Sequence, residues 1–486
     1  MAKYIMLMGT ASHVGKSILT TAFCRIFFRA GLCVCPFKAQ NMALNSFVTA
    51  NGLEMGRAQV AQAEAAMLEP EVDMNPVLLK PTGNSTSQVI IKGRAVGIMS
   101  AADYHCSYSL KAFEAVKESL ARLARLFDLL VIEGAGSPAE INLKDTDIVN
   151  MRVAKYLNAP VLLIADIDRG GSLAALVGTL ELLDEDEREL VKGLIINKFR
   201  GDVSLFAPAV DFLERKTKKP VLGVIPYISQ LGIDDEDSVS LDEKLPSEGE
   251  ISIAVIRLLK ISNFTDFDSL SGEADVKLVY AKTPAELNSA DVIILPGSKN
   301  TSDDLLKLRA EGFEQKIRQR AAEGAAIIGI CGGYQMLGEK IFDPNHVESD
   351  VEEIEGLKLL PLSTTFAVEK LTRQITLEKM TFEFLGSPID VKNVEGYEIH
   401  AGETQPTEAS LMMSKGNVFG TYMHGIFDND EFRRQMLNAV RRQKNLEPLA
   451  NVRNRRAEKQ AAYERLANII RDAVDMKQLN AIINNQ

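Results

Sequence analysis

The N-terminal half of the chain alternates short apolar runs with stretches of helical periodicity. Six runs predict strands, several of them apolar at consecutive positions: 4–8, 32–37, 128–133, 160–165, 192–197 and 220–225. Helical spacing of apolar residues predicts helices over 16–30, 54–68 and 109–126. Consecutive apolar positions are typical of parallel strands that are covered on both faces. The pattern therefore predicts an α/β domain with a parallel sheet over residues 1–230.

A second α/β series begins at residue 251. Its predicted strands are 251–256, 276–280, 291–295 and 325–330, followed by a β-rich stretch that ends at 418–423. Amphipathic helices are predicted over 430–443 and 456–478. Between the two series, residues 231–250 are mostly acidic or polar and predict a solvated linker. We therefore expect two α/β domains, 1–230 and 251–450, and a C-terminal helical extension over 451–486.

Composition and charge exclude some classes of function. The net charge is −11, and no basic domain stands out that would neutralise nucleic-acid phosphates. No apolar stretch reaches the length of a membrane span, and the first apolar run leads into a glycine-rich loop and not into a signal-peptide cleavage site. The five cysteines form no disulfide framework, which indicates a reducing compartment. We expect a cytoplasmic protein that binds neither nucleic acid nor membranes, while the oligomeric state stays open.

The stretch GTASHVGKS (9–17) follows the first predicted strand and opens the first predicted helix. It has phosphate-loop chemistry, with one residue more than usual between the first glycine and Gly-Lys-Ser. Backbone N–H groups would surround phosphate oxygens, Lys16 would reach the β and γ phosphates of ATP, and the Ser17 hydroxyl would bind Mg²⁺. The alternative is a glycine-rich turn without a ligand. The predicted nucleotide-binding residues are Gly9, Thr10, Val14, Gly15, Lys16, Ser17 and Asn197, the last at a strand end where its amide would read a base edge.

Acidic residues at strand ends would complete a Mg²⁺ site with Ser17. Glu133 ends a buried strand, and ligand-binding groups in open α/β sheets collect at the carboxyl ends of strands. Glu54 is the third predicted ligand, although it also fits a first-turn acid of a helix. Asp166 and Asp168, at the end of another strand, are alternative ligands.

The stretch IIGICGGYQMLG (327–338) places Cys331 between an apolar strand and a helical pattern, with glycines on both sides. A tight strand-to-helix turn of this kind exposes a nucleophile, and the helix N-terminus favours the thiolate. A buried structural cysteine is the alternative. His424 follows an apolar strand in the same domain and is the predicted base, with His400 as a competitor. Backbone N–H groups of Gly297 and Gly332 would form the oxyanion hole, so these residues predict acyl transfer through a thioester.

Longer stretches carry a resemblance to known families. GICGGYQMLG, TYMHG and LPGSKNT resemble a class I glutamine amidotransferase domain, and GTASHVGKS resembles the phosphate loop of dethiobiotin synthetase and its relatives. Their combination resembles the glutamine-dependent cobyrinate amidotransferases. FKAQNMALNS, EMGRAQVAQAEAA, MNPVLLKPTG, ADIDRGG, NKFRGD and SNFTDFDSL look like the same family, so the resemblance covers nearly the whole chain.

The resemblance implies an ATP- and glutamine-dependent ligase of cobalamin biosynthesis that uses Mg²⁺. Its expected substrates are glutamine and a corrinoid, adenosylcobyrinic acid a,c-diamide. Ammonia released at Cys331 would replace phosphate on activated b, d, e and g carboxylates. The resemblance also places Gln40, Asn41 and Asn45 in a loop on the corrin side, where ordinary loop hydrogen bonding is the alternative.

One position departs from the amidotransferase pattern. Many class I enzymes carry a glutamate two residues after the catalytic histidine, where this chain has Ile426. We expect His424 to be held by a backbone carbonyl or by another acid, such as Glu398 or Asp428. Three other functions stay open: amidation of the a and c carboxylates, a partitioning ATPase, and a binding protein with an inactive amidotransferase domain.

Overall fold

The computed structural model describes residues 2–83, 85–228, 232–233 and 248–486, and the chain divides into two compact units. The first unit comprises Met1–Ala43, Glu54–Glu236 and Arg456–Gln486. The second comprises Leu44–Leu53 and Asp237–Arg455. The predicted acidic linker, 231–250, lies largely outside the described residues, and the predicted domain boundaries stay predictions.

The first unit is built on a six-stranded parallel sheet. In chain order its strands are β1 (Lys3–Gly9), β2 (Val34–Phe37), β3 (Leu129–Glu133), β4 (Val161–Asp166), β5 (Val191–Phe199) and β6 (Val221–Pro226). They lie in the order β6-β5-β4-β1-β3-β2, and each neighbouring pair is parallel. Ile5 and Leu7 face the opposite side of the sheet from Met6 and Met8, yet all four are fully buried. The predicted parallel sheet, covered on both faces, is confirmed.

Helices of the first unit agree with the predicted periodicity at two of three positions. They run over Lys16–Arg29 and Ser109–Leu126, but the predicted helix 54–68 is a short strand, Glu54–Gly56, followed by the helix Arg57–Ala65. Further helices are Met151–Leu157, Ser172–Leu182, Glu185–Leu190 and Ala207–Thr217. The apolar pattern does not predict the four-stranded sheet that the structure contains, which is formed by Gln40–Met42, Val77–Gly83, Thr86–Ile91 and Arg94–Ser100. The last strand of this sheet, Arg94–Ser100, is largely exposed, so it lacks the buried apolar run that marks the strands of the parallel sheet.

The C-terminal residues contribute to the core of the first unit. The predicted helix 456–478 is two helices, Arg455–Ala473 and Met476–Asn484. Tyr463, Leu466 and Ile470 are buried in the same apolar cluster as Ile5 and Leu7 of β1. The helices therefore stabilise the unit that carries the phosphate loop.

The second unit has a sheet of its own. Its strands are β7 (Ile251–Ile256), β8 (Val276–Ala281), β9 (Val292–Leu295), β10 (Ala326–Ile330), β11 (Met412–Lys415) and β12 (Val418–Thr421), in the order β8-β7-β9-β10-β12-β11. Only the edge strand β11 is antiparallel among these pairings. The predicted second α/β fold is confirmed.

A long antiparallel hairpin extends the second unit. Its strands are Ser363–Phe384 and Ser387–Gln405, and the main helices are Thr301–Ala310, Phe313–Ala322, Gly332–Met336 and Asp430–Gln443. The predicted helix 430–443 is confirmed. In both units the carboxyl ends of parallel strands carry the predicted chemistry, because β1 leads into the phosphate loop and β10 into Cys331.

Candidate active site

Cys331 is the single residue between β10 and the helix Gly332–Met336. Its backbone has φ +52° and ψ −109°, a conformation that is costly for a residue with a side chain. The glycines beside it are required by close packing. A Cβ on Gly333 would lie 2.0 Å from the Leu295 carbonyl oxygen, and one on Gly329 would lie 2.6 Å from the Gly333 carbonyl oxygen. The chain thus forms the predicted strand-to-helix turn, with the thiol at the N-terminus of a short helix.

His424 follows β12 and is brought to this turn. The Cys331 sulfur is close enough to act electrostatically on its imidazole, and its Nδ1 atom lies 2.7 Å from Oδ2 of Asp266. The other oxygen of Asp266 accepts a hydrogen bond from the Gly425 N–H at 2.9 Å. His424 and Asp266 are both almost fully buried, so this carboxylate is held in one orientation beside the ring. The three side chains form a nucleophile, base and orienting acid in sequence.

The protonation of His424 follows from these neighbours. Burial of the imidazole opposes its protonation, but the Asp266 carboxylate and the Cys331 thiolate raise the pKa of His424 to about 10. The arrangement therefore favours the imidazolium form of His424 near neutral pH, beside the Cys331 sulfur. A thiolate beside an imidazolium is the reactive state of a cysteine nucleophile.

Asp266 is the residue that sequence reasoning missed, and the expectation of Glu398 or Asp428 as orienting acid is wrong. The Glu398 carboxylate pairs with Arg373 and lies 3.5 Å from His400 Nε2. The Asp428 carboxylate accepts a hydrogen bond from the Ser269 hydroxyl. Asp266 lies on the short 3-10 turn Phe264–Phe267, and its only sequence signal is its place in the stretch SNFTDFDSL.

The competing histidine, His400, has other partners. Its ring stacks on Tyr422 with centroids 3.7 Å apart, and its Nδ1 atom lies 2.8 Å from the Gly402 carbonyl oxygen. These contacts hold the ring against Tyr422, whereas His424 pairs with Asp266 and interacts electrostatically with Cys331. The geometry therefore favours His424 as the base.

The two glycines predicted for the oxyanion hole lie close to the catalytic side chains. A Cβ on Gly297 would be 3.3 Å from Cε1 of His424, and one on Gly332 would be 3.0 Å from the Ser298 nitrogen. The strand pair Ile261–Ser262 and Gly297–Ser298 fixes this backbone beside the nucleophile turn. The backbone at Gly297 therefore lies beside His424 and that at Gly332 beside Ser298, and the role of their N–H groups in an oxyanion hole stays a prediction.

In the first unit, the phosphate loop joins β1 to the helix that starts at Lys16. Gly15 has φ +99° and precedes the helix, so the loop turns where only glycine fits easily. The Lys16 ammonium donates to the carbonyl oxygens of Ala11 and Gly136, both at 3.0 Å. These contacts hold the lysine over the loop, where a bound phosphate would meet it.

Glu133, at the end of β3, meets the first turn of the same helix. Its carboxylate is fully buried and accepts hydrogen bonds from the Ser17 hydroxyl and the Lys38 ammonium, both at 2.8 Å, and from the Gln62 amide at 2.5 Å. Two predicted Mg²⁺ ligands, Ser17 and Glu133, are therefore in contact. Hydroxyl and carboxylate oxygens are suitable donors for Mg²⁺, so these residues fit the ion.

The other predicted acids have basic partners. The Glu54 carboxylate pairs with Lys80 at 2.8 Å, with both side chains buried. Asp166 pairs with Lys198 at 2.8 Å, and the exposed Asp168 pairs with Arg200 at 2.6 Å. Glu54 as a Mg²⁺ ligand, and Asp166 or Asp168 as its alternatives, stay predictions.

Asn197 contacts the phosphate loop directly. Its amide donates to the Val14 carbonyl oxygen at 2.7 Å, and a Cβ on Gly15 would lie 2.1 Å from the same amide nitrogen. The side chain therefore supports the loop, while its predicted role in reading a base is untested.

Comparisons with known proteins identify a family for each of the two halves of the chain and for the chain as a whole. Residues 5–239 match the family model of the CobQ/CobB/MinD/ParA nucleotide binding domain, and residues 252–432 match the CobB/CobQ-like glutamine amidotransferase domain. A cobyric acid synthase from Moorella thermoacetica is 50% identical over 99% of this chain and 98% of its own length. The chain belongs to the cobyric acid synthase family. The predicted recognition of the cobyrinate amidotransferases is confirmed.

Other members of the cobyric acid synthase family match over similar lengths. The relative from Pelotomaculum thermopropionicum is 54% identical over 92% of this chain and 89% of its own. The relative from Carboxydothermus hydrogenoformans is 50% identical over 99% of this chain and 100% of its own. The chain is thus a glutamine-dependent amidating ligase of cobalamin synthesis, with glutamine and a corrinoid as substrates and a nucleotide-binding domain for ATP. None of the described helices is long and apolar enough to cross a membrane.

The three residues that are predicted to contact the corrin substrate have different neighbours in the structure. Gln40 is half-buried and accepts a hydrogen bond from the Tyr104 hydroxyl. Asn41 is buried, and its amide donates to Gln59 at 3.3 Å. Asn45 is buried in the second unit and accepts a hydrogen bond from the Phe264 N–H at 3.1 Å. Their contact with substrate stays a prediction.

Proposed function

We propose that this chain amidates the b, d, e and g carboxylates of adenosylcobyrinic acid a,c-diamide to give adenosylcobyric acid. Glutamine supplies the nitrogen through a glutaminase site at Cys331, and ATP activates each carboxylate. The observation that carries the proposal is the contact of Cys331, His424 and Asp266 in a chain that also contains a phosphate loop.

The glutaminase half-reaction follows from the triad. The Cys331 thiolate attacks the side-chain carbonyl of glutamine, and backbone N–H groups at Gly332 and Gly297 stabilise the oxyanion. The His424 imidazolium gives its proton to the leaving nitrogen, so ammonia departs and a γ-glutamyl thioester remains on Cys331. His424 then takes a proton from water, which hydrolyses the thioester to glutamate. Asp266 holds the ring and stabilises its cation through both steps.

The synthetase half-reaction uses the first unit. Lys16 and the loop N–H groups bind the ATP phosphates, and a corrin carboxylate oxygen takes the γ-phosphoryl group to form an acyl phosphate and ADP. Ammonia attacks the acyl carbon and phosphate leaves, which yields the amide. Ser17, Glu133 and Glu54 are the residues that would hold Mg²⁺, and the bound ion would neutralise charge on the transferring phosphate. Gln40 and Asn41 would contact the corrin.

The test is product mass after incubation of the a,c-diamide with MgATP. Wild type and Cys331→Ser are each given glutamine or ammonium. We expect wild type to exchange four hydroxyl groups for amino groups with either nitrogen source, and the variant to do so only with ammonium. If neither source supports amidation while ATP is still hydrolysed, the proposed substrate is wrong. If cobyrinic acid itself is amidated only at a and c, the neighbouring enzyme of the pathway is the better assignment.

A further inference from the structure

The segment Leu44–Leu53 contacts the turn that carries Asp266. The chain enters this segment from Ala43 and leaves it at Glu54, which both belong to the first unit, but the segment itself belongs to the second. The Asn45 side-chain oxygen accepts a hydrogen bond from the Phe264 N–H at 3.1 Å. The Ser46 N–H donates to the side-chain oxygen of Asn263 at 3.1 Å.

Tyr397 connects the segment to the same turn. Its hydroxyl donates to the Ser46 carbonyl oxygen at 3.0 Å and accepts a hydrogen bond from the Asn263 amide at 3.2 Å. The Phe47 ring lies edge-on to the Tyr397 ring, with centroids 5.1 Å apart. Asn263 and Tyr397 are almost fully buried, so these hydrogen bonds are shielded from water.

Tyr397 also contacts the catalytic histidine. The two rings are stacked at 5.4 Å and 23°, and the backbones exchange two hydrogen bonds, from Tyr397 N to His424 O at 3.1 Å and from His424 N to Tyr397 O at 2.9 Å. Asp266 holds one edge of the imidazole, and Tyr397 covers one face. The orientation of the base toward Cys331 therefore depends on where the Tyr397 ring lies.

We propose that Tyr397 is a positioning residue for His424, and that its hydroxyl, anchored on Ser46, makes the glutaminase reaction depend on the segment Leu44–Leu53. Asn45 acts with it, because it holds the Phe264 end of the turn that presents Asp266. The inference rests on the proposed glutaminase function of Cys331. Small displacements of a catalytic group lower rates strongly, so loss of these anchors slows thioester formation without removing a reacting atom.

The test compares wild type with Tyr397→Phe, which keeps the ring and removes the hydroxyl. Glutamate release and amidation driven by ammonium are measured in the same preparations. Loss of the two buried hydrogen bonds of the hydroxyl predicts a fall of about tenfold in kcat for glutamine, with KM within about twofold. Amidation driven by ammonium stays within about twofold of wild type. An unchanged kcat for glutamine in Tyr397→Phe would overturn the proposal.

Thr372→Val is the matched control. The Thr372 hydroxyl donates to the Gly52 carbonyl oxygen at 2.7 Å, so the variant loses a hydrogen bond to the same segment away from the Asp266 turn. We expect its glutamine kcat to stay within about twofold of wild type. A loss equal to that of Tyr397→Phe would contradict a specific role of the tyrosine, because any loosening of the segment would then suffice.

Asn45→Ala separates positioning from substrate contact. If Asn45 positions the turn, amidation falls with glutamine only. If it binds the corrin instead, KM for the corrinoid rises with both nitrogen sources, and the positioning role of Asn45 is wrong. Failure of the proposed function has a different signature, since wild type would then release no glutamate and amidate no corrinoid from ammonium.

Discussion

His424 Nδ1 and Asp266 Oδ2 lie 2.7 Å apart, although 158 residues separate them in the chain. This pair replaces the acid that Ile426 cannot supply. It places the orienting carboxylate on a short turn before the nucleophile and not on the loop after the histidine. The proposed glutaminase site therefore has an orienting acid, and its predicted pH dependence follows from the pair.

Replacement of Asp266 by asparagine tests the pair directly. We expect Asp266→Asn to lower glutamine turnover by at least about tenfold, because the imidazolium loses its stabilising charge and its fixed orientation. Asp266 raises the pKa of His424, so the alkaline limb of the kcat profile for glutamine should move to lower pH in the variant. Amidation from ammonium should be preserved. The control is Asp428→Asn, because Asp428 is half-exposed and its carboxylate accepts a hydrogen bond from Ser269. This variant should keep the glutamine turnover rate and the alkaline limb of wild type.

The same pair predicts a pH dependence of stability. The pKa of His424 in the folded chain, about 10, lies above the ordinary value of 6.5. A histidine whose pKa is higher in the folded chain contributes its full stabilisation at pH values below its pKa in the unfolded chain. This contribution is lost as pH rises toward the pKa in the folded chain. The difference in unfolding free energy between wild type and Asp266→Asn should therefore shrink as pH rises from about 6.5 to about 10. Denaturant unfolding across that range measures it, and a difference that grows with pH would contradict the assigned ion pair.

The phosphate loop gives a third prediction. A Cβ on Gly15 would clash with the Asn197 amide, and φ is +99° there, so Gly15→Ala should weaken ATP binding by distorting the loop. Gly178→Ala is the control in the same unit, since Gly178 lies inside the helix Ser172–Leu182 with open space at its Cβ. Alanine there should be neutral or stabilise by about 0.5–1 kcal/mol. Isothermal titration with an ATP analogue measures the affinity of both variants, and Gly178→Ala should bind like wild type. Equal affinity of Gly15→Ala and wild type would show that the loop does not hold the nucleotide.

Two substitutions of an acidic residue by its amide, Glu133→Gln and Asp168→Asn, test which carboxylate binds Mg²⁺. Glu133→Gln should abolish most ATP-dependent amidation with either nitrogen source, because the oxygen beside Ser17 loses its charge. Asp168 is exposed and pairs with Arg200, so Asp168→Asn should leave amidation within about twofold of wild type. The Mg²⁺ concentration needed for half-maximal amidation is the measurement. A raised requirement in Asp168→Asn and not in Glu133→Gln would favour the alternative ligand.

The sequence predicts those parts of the site that lie at strand ends with a local pattern. Cys331, the phosphate loop and Glu133 each follow a buried apolar run, and nearby glycines mark the tight turns at Cys331 and Gly15. Because parallel strands end at one edge of a sheet, such residues can be located before any contact is known. The strands of both sheets are predictable for the same reason.

Asp266 and the segment Leu44–Leu53 have no such pattern. Asp266 lies on a single turn after a two-residue strand, where no periodicity extends far enough to be recognised. The segment is held in the second unit by contacts with residues more than two hundred positions away, among them its hydrogen bonds to Asn263 and Phe264. Contacts of that range depend on the folded arrangement, so Glu398 and Asp428 were the reasonable but wrong choices from nearby sequence.

In the proposed reaction, nitrogen released from glutamine at Cys331 enters the corrin amides. The most direct measurement uses glutamine labelled with nitrogen-15 in its side-chain amide, together with MgATP, the a,c-diamide and unlabelled ammonium. We expect wild type to form labelled amides and Cys331→Ser to form the same product without label. Labelled amides from Cys331→Ser, or amides from wild type that carry no label, would contradict it.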